Sequence, residues 1–195
     1  MKQQTIDLIL KESFKLFAGS RYEHVTVADI ERATKLTRGA IFYYMANKEH
    51  LFKEIADKYI FNQELTSKGN KQNLASFIDS FIGQLKDLKK QMKSLGVKNA
   101  NYAYINIINQ ATHYYPDYIK ESKKNEKKEL NIWIEVVQNA ISSGEIVKDT
   151  NSTAIGSIFY HLYAGFSYKS IFLPDGIDID QLQKTFDTVY QMIKK

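Results

Sequence analysis

The side chains best suited to chemistry lie between Thr26 and Lys48, and their types favour binding a polyanion over catalysis. Thr26 and Thr37 each precede a short segment with helical apolar spacing. A hydroxyl at a helix start, together with the free backbone N–H groups there, suits a phosphate. Arg38 is the one long cation among the side chains expected to point outward from the second segment, so the pattern predicts contact with DNA.

The sequence offers little for other chemistry. It has no cysteine, no pairing of a nucleophile with a base, and no glycine-rich phosphate loop. His113 and Asp117 stand four residues apart, but two ligands do not make a metal site. We therefore expect no enzyme activity, no cofactor and no metal.

Composition limits the fold class. Two prolines and nine glycines in 195 residues leave few helix breakers, and helix-forming residues dominate. The predicted class is all-α, with about nine helices.

A net charge of +5 allows a polyanionic partner without requiring one. No apolar run reaches membrane-spanning length, and charges at Lys11 and Glu12 interrupt the N-terminal apolar residues, so we expect a cytoplasmic protein with no membrane contact.

Three helices must position the candidate DNA contacts. Apolar spacing predicts a first helix that ends near Gly19. Thr26 and Asp29 have capping-box spacing, which begins a second helix that ends near Thr34. Thr37 is the N-cap candidate for a third helix. Two short helices joined by a tight turn are the layout of a helix-turn-helix.

The remaining chain has the pattern of a helical bundle. A linker helix is predicted over 48–67, followed by a polar break near 70. We expect a DNA-binding domain over 1–50 and a second helical domain over 70–195. The helices predicted in the second domain cover 71–93, 97–114, 116–143, 151–172 and 178–194, with Pro116 in a first turn and Gly144 as a C-cap.

The segment from Ile9 to Ile55 resembles the N-terminal DNA-binding domain of the TetR family. The resemblance covers about 50 residues and includes Thr26, the Asp-Ile pair at 29 and 30, TRGAIFYY at 37–44 and NKEHL at 47–51. It implies phosphate contacts from Thr26, Thr37, Tyr43 and Lys48, base contacts from Arg38, Ala40 and Tyr44, a sugar or packing contact from Phe42, and close backbone approach at Gly39.

Five positions depart from the family pattern. Lys35 occupies a turn position that is often glycine, and Glu31 and Thr34 stand where small apolar residues are usual. Tyr44 and Met45 replace a common histidine and a common phenylalanine. These departures concern base preference, not the presence of the domain.

The layout beyond residue 70 also resembles the family and implies a ligand pocket and a dimer interface. Aromatic residues with single polar groups suit an apolar cavity that binds a small molecule, although the same spacing is typical of plain core packing. The pocket candidates are Tyr59, Phe77, Phe81, Tyr102, Asn106, Asn109, His113, Tyr118, Trp133 and His161. The dimerisation candidates, on the last two helices, are Phe159, Leu162, Phe166, Phe186, Val189 and Ile193.

Together these features predict a transcriptional regulator. It would repress by binding a palindromic operator in double-stranded DNA as a homodimer, and a small-molecule effector would release it. The alternative is a helical adaptor that binds other proteins through its C-terminal half and does not bind DNA.

Overall fold

In a computed structural model of the protein, which describes residues 2–61, 65–66 and 69–195, the regular structure is helical. This part of the chain contains no β-strand, only an isolated bridge between Ile146 and Lys194. The all-α prediction is confirmed. The nine α-helices of the described residues are α1 (Lys2–Gly19), α2 (Val27–Thr34), α3 (Arg38–Tyr44), α4 (Lys48–Ala56), α5 (Leu74–Ser94), α6 (Ala100–Tyr114), α7 (Tyr118–Ser142), α8 (Ser152–Ser170) and α9 (Ile179–Ile193).

The chain forms two compact units whose composition differs from the expected domains. The first unit contains 1–63 and 92–122, and the second contains 64–91 and 123–195. Residues 92–122, expected in the second domain, therefore pack with the N-terminal helices. The reason is the apolar face of α6, where Ala103, Ile107 and Ala111 are buried.

Polar contacts also join α6, and Tyr115 directly after it, to the N-terminal part of the first unit. The amide of Asn106 donates hydrogen bonds to the carbonyls of Phe17 and Ala18, at 3.0 and 3.2 Å. The Tyr115 hydroxyl donates to the carboxylate of Asp57. Burial, followed by this hydrogen bond, raises the pKa of Tyr115 to about 12. These contacts join residues far apart in sequence, so local patterns could not predict them.

Helix starts that depend on local hydrogen bonds were predicted correctly. Thr26 and Asp29 form a reciprocal capping box at the start of α2, and the Thr37 hydroxyl accepts a hydrogen bond from the Ala40 N–H at the start of α3. Gly144 follows α7 with a φ of +77°, the left-handed conformation of a C-cap glycine.

Three helices begin two or three residues later than predicted. Helix α6 begins at Ala100 instead of 97, where the side chain of Asn99 caps it. Helix α7 begins at Tyr118 instead of Pro116, because Asp117 before it has a φ of +68°. Helix α5 begins at Leu74 instead of 71, where the Glu145 carboxylate accepts hydrogen bonds from the N–H groups of Leu74 and Ala75 at 2.8 and 3.0 Å.

The predicted linker helix 48–67 is shorter than expected. Helix α4 passes into a π-helical segment, Asp57–Phe61, and residues 65–66 lie in a turn. Residues 62–64 and 67 of the predicted helix lie outside the described residues. The buried side chains of α4 and the π-helical segment face the first unit's core, where Tyr59 stacks on Phe14 with ring centroids 4.2 Å apart.

Trp133 lies at the centre of the second unit's core. Its ring stacks on Phe159 at 5.2 Å and meets the edges of Phe77, Phe81 and Phe186. All five side chains are at most 1% exposed. Aromatic rings packed in this way contribute both apolar area and favourable ring geometry.

Gly156 permits close approach of α8 to α7 within the second unit. A Cβ added there would lie 2.8 Å from the backbone nitrogen of Ile134 and 2.9 Å from its Cα. The glycine is therefore required by packing inside the chain. None of the described helices combines the length and the apolar content needed to cross a membrane.

Two glycine-to-alanine substitutions should have opposite effects on stability. Gly156→Ala should lower the free energy of unfolding by about 1 to 3 kcal/mol, because the new methyl meets backbone atoms of α7. Gly83→Ala, in the interior of α5 with open space around it, should raise it by about 0.5 to 1 kcal/mol through helix propensity. Urea unfolding measures both, and equal effects would contradict the packing account.

Candidate nucleic-acid interface

Helices α2 and α3 and the turn between them form the candidate interface. Lys35 ends α2 in the left-handed conformation, with a φ of +57°, as its turn position suggested. The Thr34 hydroxyl donates to the Ile30 carbonyl at 2.7 Å and accepts from the Leu36 N–H at 3.3 Å. Thr34 is thus a buried hydrogen-bonding residue of the turn, which explains a polar residue where a small apolar one is usual.

The start of α3 has a second anchor that local sequence patterns did not predict. The Glu31 carboxylate, on α2, accepts a hydrogen bond from the Arg38 N–H at 2.6 Å. A carboxylate at a helix start satisfies a free N–H group and interacts favourably with the helix dipole. The only signal in the sequence was an acidic residue where the family usually has a small apolar one.

Burial orients α3. Ile41 and the adjoining Met45 are at most 3% exposed, so they anchor one side of the helix. Tyr43, on the other side, is 79% exposed, and its ring meets the edge of Tyr44 at 4.9 Å. Of the predicted DNA contacts on and beside α3, Thr37, Arg38, Gly39 and Tyr43 are exposed, and Ala40, Phe42 and Tyr44 are partly buried.

Thr26 and Thr37 both act as helix caps. The Thr26 hydroxyl donates to the Asp29 carboxylate at 2.7 Å and accepts from the Asp29 N–H at 3.2 Å. The hydrogen bonds from Thr26 and the nearby Arg32 guanidinium hold the pKa of Asp29 below its usual value. The carboxylate therefore stays ionised to a lower pH than a free aspartate and keeps the start of α2 fixed.

Lys48 is already engaged within the chain. Its ammonium donates a hydrogen bond to the Tyr22 carbonyl and lies 4.0 Å from the centroid of the Tyr22 ring. Burial lowers the pKa of Lys48. Tyr22 in turn stacks on Tyr114 of α6. Neither tyrosine was singled out from the sequence, because these contacts depend on the fold.

The ten pocket candidates are not gathered into one site. Six belong to the first unit and four, Phe77, Phe81, Trp133 and His161, to the second. Phe77, Phe81 and Trp133 fill the second unit's core, because their helices turn these rings toward one another. The described part of the chain also brings no three histidine or carboxylate side chains close enough to share a metal ion.

The first-unit candidates have several separate environments. Tyr59 packs against Phe14, and Asn106 caps the end of α1. Tyr118 lies beside Phe61, with ring centroids 5.9 Å apart. The remaining candidates on α6 are exposed, namely Tyr102, Asn109 and His113.

A surface cleft of about 520 Å³ lies instead in the second unit, between α5 and the segment before α9. Lys86 and Lys89 line one side and residues 173–180 the other. The Lys89 ammonium donates to the Ile177 carbonyl at 3.0 Å. Local sequence patterns do not reveal this cleft, because its two sides are distant in the chain.

Two dimerisation candidates face inward. Phe159 and Phe186 are fully buried around Trp133, so the expectation that they meet a second chain is wrong. Leu162, Phe166, Val189 and Ile193 are partly buried against the same core. The apolar side chains that α8 and α9 expose are different ones, including Ile158, Tyr168 and Met192. Helical spacing identified apolar helices but not which of their faces meets the core.

A comparison of sequences decides the family. A family model described as "Bacterial regulatory proteins, tetR family" matches residues 9–55, which contain both helices of the candidate interface. Residues 9–55 are therefore a DNA-binding segment of the TetR family. This is a family of regulators and not of enzymes, and its helix-turn-helix makes this chain a DNA-binding transcriptional regulator. No curated protein sequence matches the chain.

Solved structures, several of them of TetR regulators, share the fold along nearly the whole chain. A regulator from Haloarcula marismortui has a TM-score of 0.73 at 12% identity, covering 99% of this chain and all of its own. The SmeT–triclosan complex has 0.72 at 14%, covering 98% and 92%. NalD of Pseudomonas aeruginosa, the secondary repressor of the MexAB-OprM multidrug efflux pump, has 0.63 at 17%, covering 100% and 99%. At these identities the likeness concerns the fold.

Proposed function

We propose that this TetR-family regulator is a cytoplasmic repressor that binds a palindromic operator as a homodimer and is released by a small molecule. The observation that carries the proposal is α3. Its start is fixed by Thr37 and Glu31, and it exposes Arg38 and Tyr43. A short, anchored helix with an exposed arginine near its start is what major-groove recognition requires.

The DNA contacts follow from the family resemblance and from exposure. Arg38, Ala40 and Tyr44 are assigned to base edges, and Phe42 to packing against α3 or a sugar. The Arg38 guanidinium lies 5.8 Å from the Phe42 ring centroid. The exposed backbone at Gly39 allows close approach of the DNA. Phosphate contacts, which position the protein without reading sequence, are assigned to Thr26, Thr37, Tyr43 and Lys48.

Dimerisation is proposed because a seven-residue recognition helix reads too few base pairs alone. Two such helices related by a dyad read a palindrome. Helix α8 and the residues after it expose a stripe of side chains at alternating spacings of four and three, the repeat of a helix-packing seam. All of them except His161 are small or apolar. The α8 stripe consists of Ala154, Ile158, His161, Gly165, Tyr168 and Phe172.

Gly165 supports this choice of face. A Cβ added at Gly165 would meet no atom within 4 Å, so packing inside the chain does not require a glycine there. Its neighbours in the α8 stripe, Ile158 and Tyr168, are 42% and 63% exposed. Met192 on α9 is 77% exposed and adds to the apolar surface of the last two helices. Exposed apolar side chains of this kind favour association.

Release by a ligand is proposed from the relatives. The SmeT structure contains triclosan, and NalD represses an efflux pump. An effector of this chain would act by binding one spacing of the two recognition helices better than the other. The connecting helix is α4 with its π-helical extension, which runs directly from the end of the helix-turn-helix.

Fluorescence anisotropy on DNA from immediately upstream of the protein's own gene tests DNA binding. Arg38→Ala and Tyr43→Ala should each weaken selective binding by about 1 to 3 kcal/mol, because each removes a contact of the recognition helix. Matched controls are Lys148→Ala, which removes an exposed positive charge, and Tyr104→Ala, which removes a 43% exposed tyrosine. Unchanged DNA affinity in both α3 variants would contradict the proposal and favour the adaptor alternative.

Sedimentation equilibrium tests the α8 stripe. Ile158→Glu should raise the dimer dissociation constant by on the order of a hundredfold, because a charge would be buried at the seam. Ile119→Glu on α7, where the isoleucine is 64% exposed, is the matched control and should leave the dimer intact. A monomeric wild-type protein, or a dimer unaffected by Ile158→Glu, would contradict this interface.

A further inference from the structure

We infer that Tyr114, near the C-terminal end of α6, positions the Lys48 ammonium for its phosphate contact by supporting the Tyr22 ring. The inference rests on the proposed DNA-binding function and adds a residue that lies outside the helix-turn-helix. All of the contacts involved lie within the first unit.

The Lys48 ammonium is held by Tyr22. Lys48 is the first residue of α4, whose start is capped by the side chain of Asn47. The Lys48 ammonium donates to the Tyr22 carbonyl and lies over the Tyr22 ring. An ammonium has three N–H donors, so these contacts hold it in place without using all of its hydrogen-bonding capacity.

The Tyr22 ring is in turn supported by Tyr114. The Tyr114 ring stacks on it with centroids 3.8 Å apart and planes 16° apart. The Lys48 ammonium lies 4.0 Å from the same centroid. Two groups this close to one centroid cannot share a face of the ring, so Tyr22 lies between Tyr114 and Lys48. The edge contact with Phe52, at 5.4 Å and 85°, limits sideways movement.

Tyr114 is anchored by Glu23 and by the contacts of α6. Its hydroxyl donates a hydrogen bond to the Glu23 carboxylate, and that bond lowers the pKa of Glu23 and raises the pKa of Tyr114. Earlier turns of α6 bind the chain just before Tyr22, because the Asn106 and Gln110 amides both donate to the Phe17 and Ser20 carbonyls. Helix α6 is therefore tied to the segment that carries Tyr22.

The position of α6 therefore affects how Lys48, the proposed phosphate-binding cation, is held. A lysine side chain loses considerable rotamer freedom when it is fixed, and the Tyr22 contacts impose that loss before DNA arrives. Pre-ordering of this kind strengthens binding. Without the Tyr114 ring, Tyr22 keeps its contacts with Phe17 and Phe52 but loses the 3.8 Å stack on one face. The Lys48 ammonium is then less ordered, and the phosphate contact weakens.

A double-mutant cycle tests the inference, using a fluorescein-labelled duplex of arbitrary sequence, since a phosphate contact does not depend on sequence. Tyr114→Leu should weaken binding by about threefold to tenfold and lower the slope of log K against log salt by about one per protomer. Tyr114→Phe keeps the stacked ring and should stay within about twofold of wild type. In a Lys48→Gln background, Tyr114→Leu should have no further effect. Tyr104→Leu, on the same helix, is the matched control.

Three outcomes would overturn the inference. Equal weakening by Tyr114→Leu with and without Lys48 would show a general structural role. Tighter binding by Tyr114→Leu would show that the stack restrains Lys48 from DNA. If Tyr114→Leu does not fold, as judged by thermal unfolding, Tyr114→Met, which fills the space without an aromatic ring, replaces it in the cycle, and additivity with Lys48→Gln overturns the inference.

Arg38→Ala separates this inference from the proposed function. If wild type binds the operator-region DNA and Arg38→Ala weakens that binding while the cycle shows no coupling, only the role of Tyr114 fails. If wild type binds no DNA in either assay, the proposed function and the inference fail together.

Discussion

A seven-residue helix is too short to be stable in water by its own hydrogen bonds, yet α3 is the element assigned to reading DNA. Other parts of the first unit must therefore hold it. The Thr37 hydroxyl and the Glu31 carboxylate satisfy N–H groups at its start, and Ile41 with the adjoining Met45 fixes its buried side. The exposed surface of α3 is left available for DNA because its stability comes from elsewhere.

A similar division between inner and outer faces occurs in the second unit. Trp133 and four phenylalanines fill its core, and Gly156 lets α8 approach α7 closely. Because the inner face of α8 satisfies its own packing, the α8 stripe on the outer face has no such role inside the chain. This is the physical basis for assigning the stripe to a second copy of the protein.

Features that depend on neighbours in sequence could be predicted, and those that depend on distant contacts could not. The caps at Thr26 and Thr37 rest on hydrogen bonds between residues three apart, so spacing alone identified α2 and α3. The Glu31–Arg38 contact and the anchoring of α5 by Glu145 join different elements. No periodic pattern reveals such pairs.

The same limit applies to the candidate interface between subunits. Helix α8 carries apolar residues around much of its circumference, so periodicity could not decide which face is buried. Phe159 therefore seemed suited to a partner, although it packs on Trp133. Likewise, the aromatic residues predicted to line a pocket were identified by type, and residue type does not separate a cavity wall from a filled core.

The central claim is that two anchored α3 helices read DNA together as a dyad-related pair. Selection of duplexes from a random-sequence library by the wild-type protein, followed by sequencing, tests it most directly. The account predicts an inverted repeat whose half-site centres are separated by about one helical turn or a multiple of it. Recovery of a single unrepeated half-site, or no enrichment over the starting library, would contradict it.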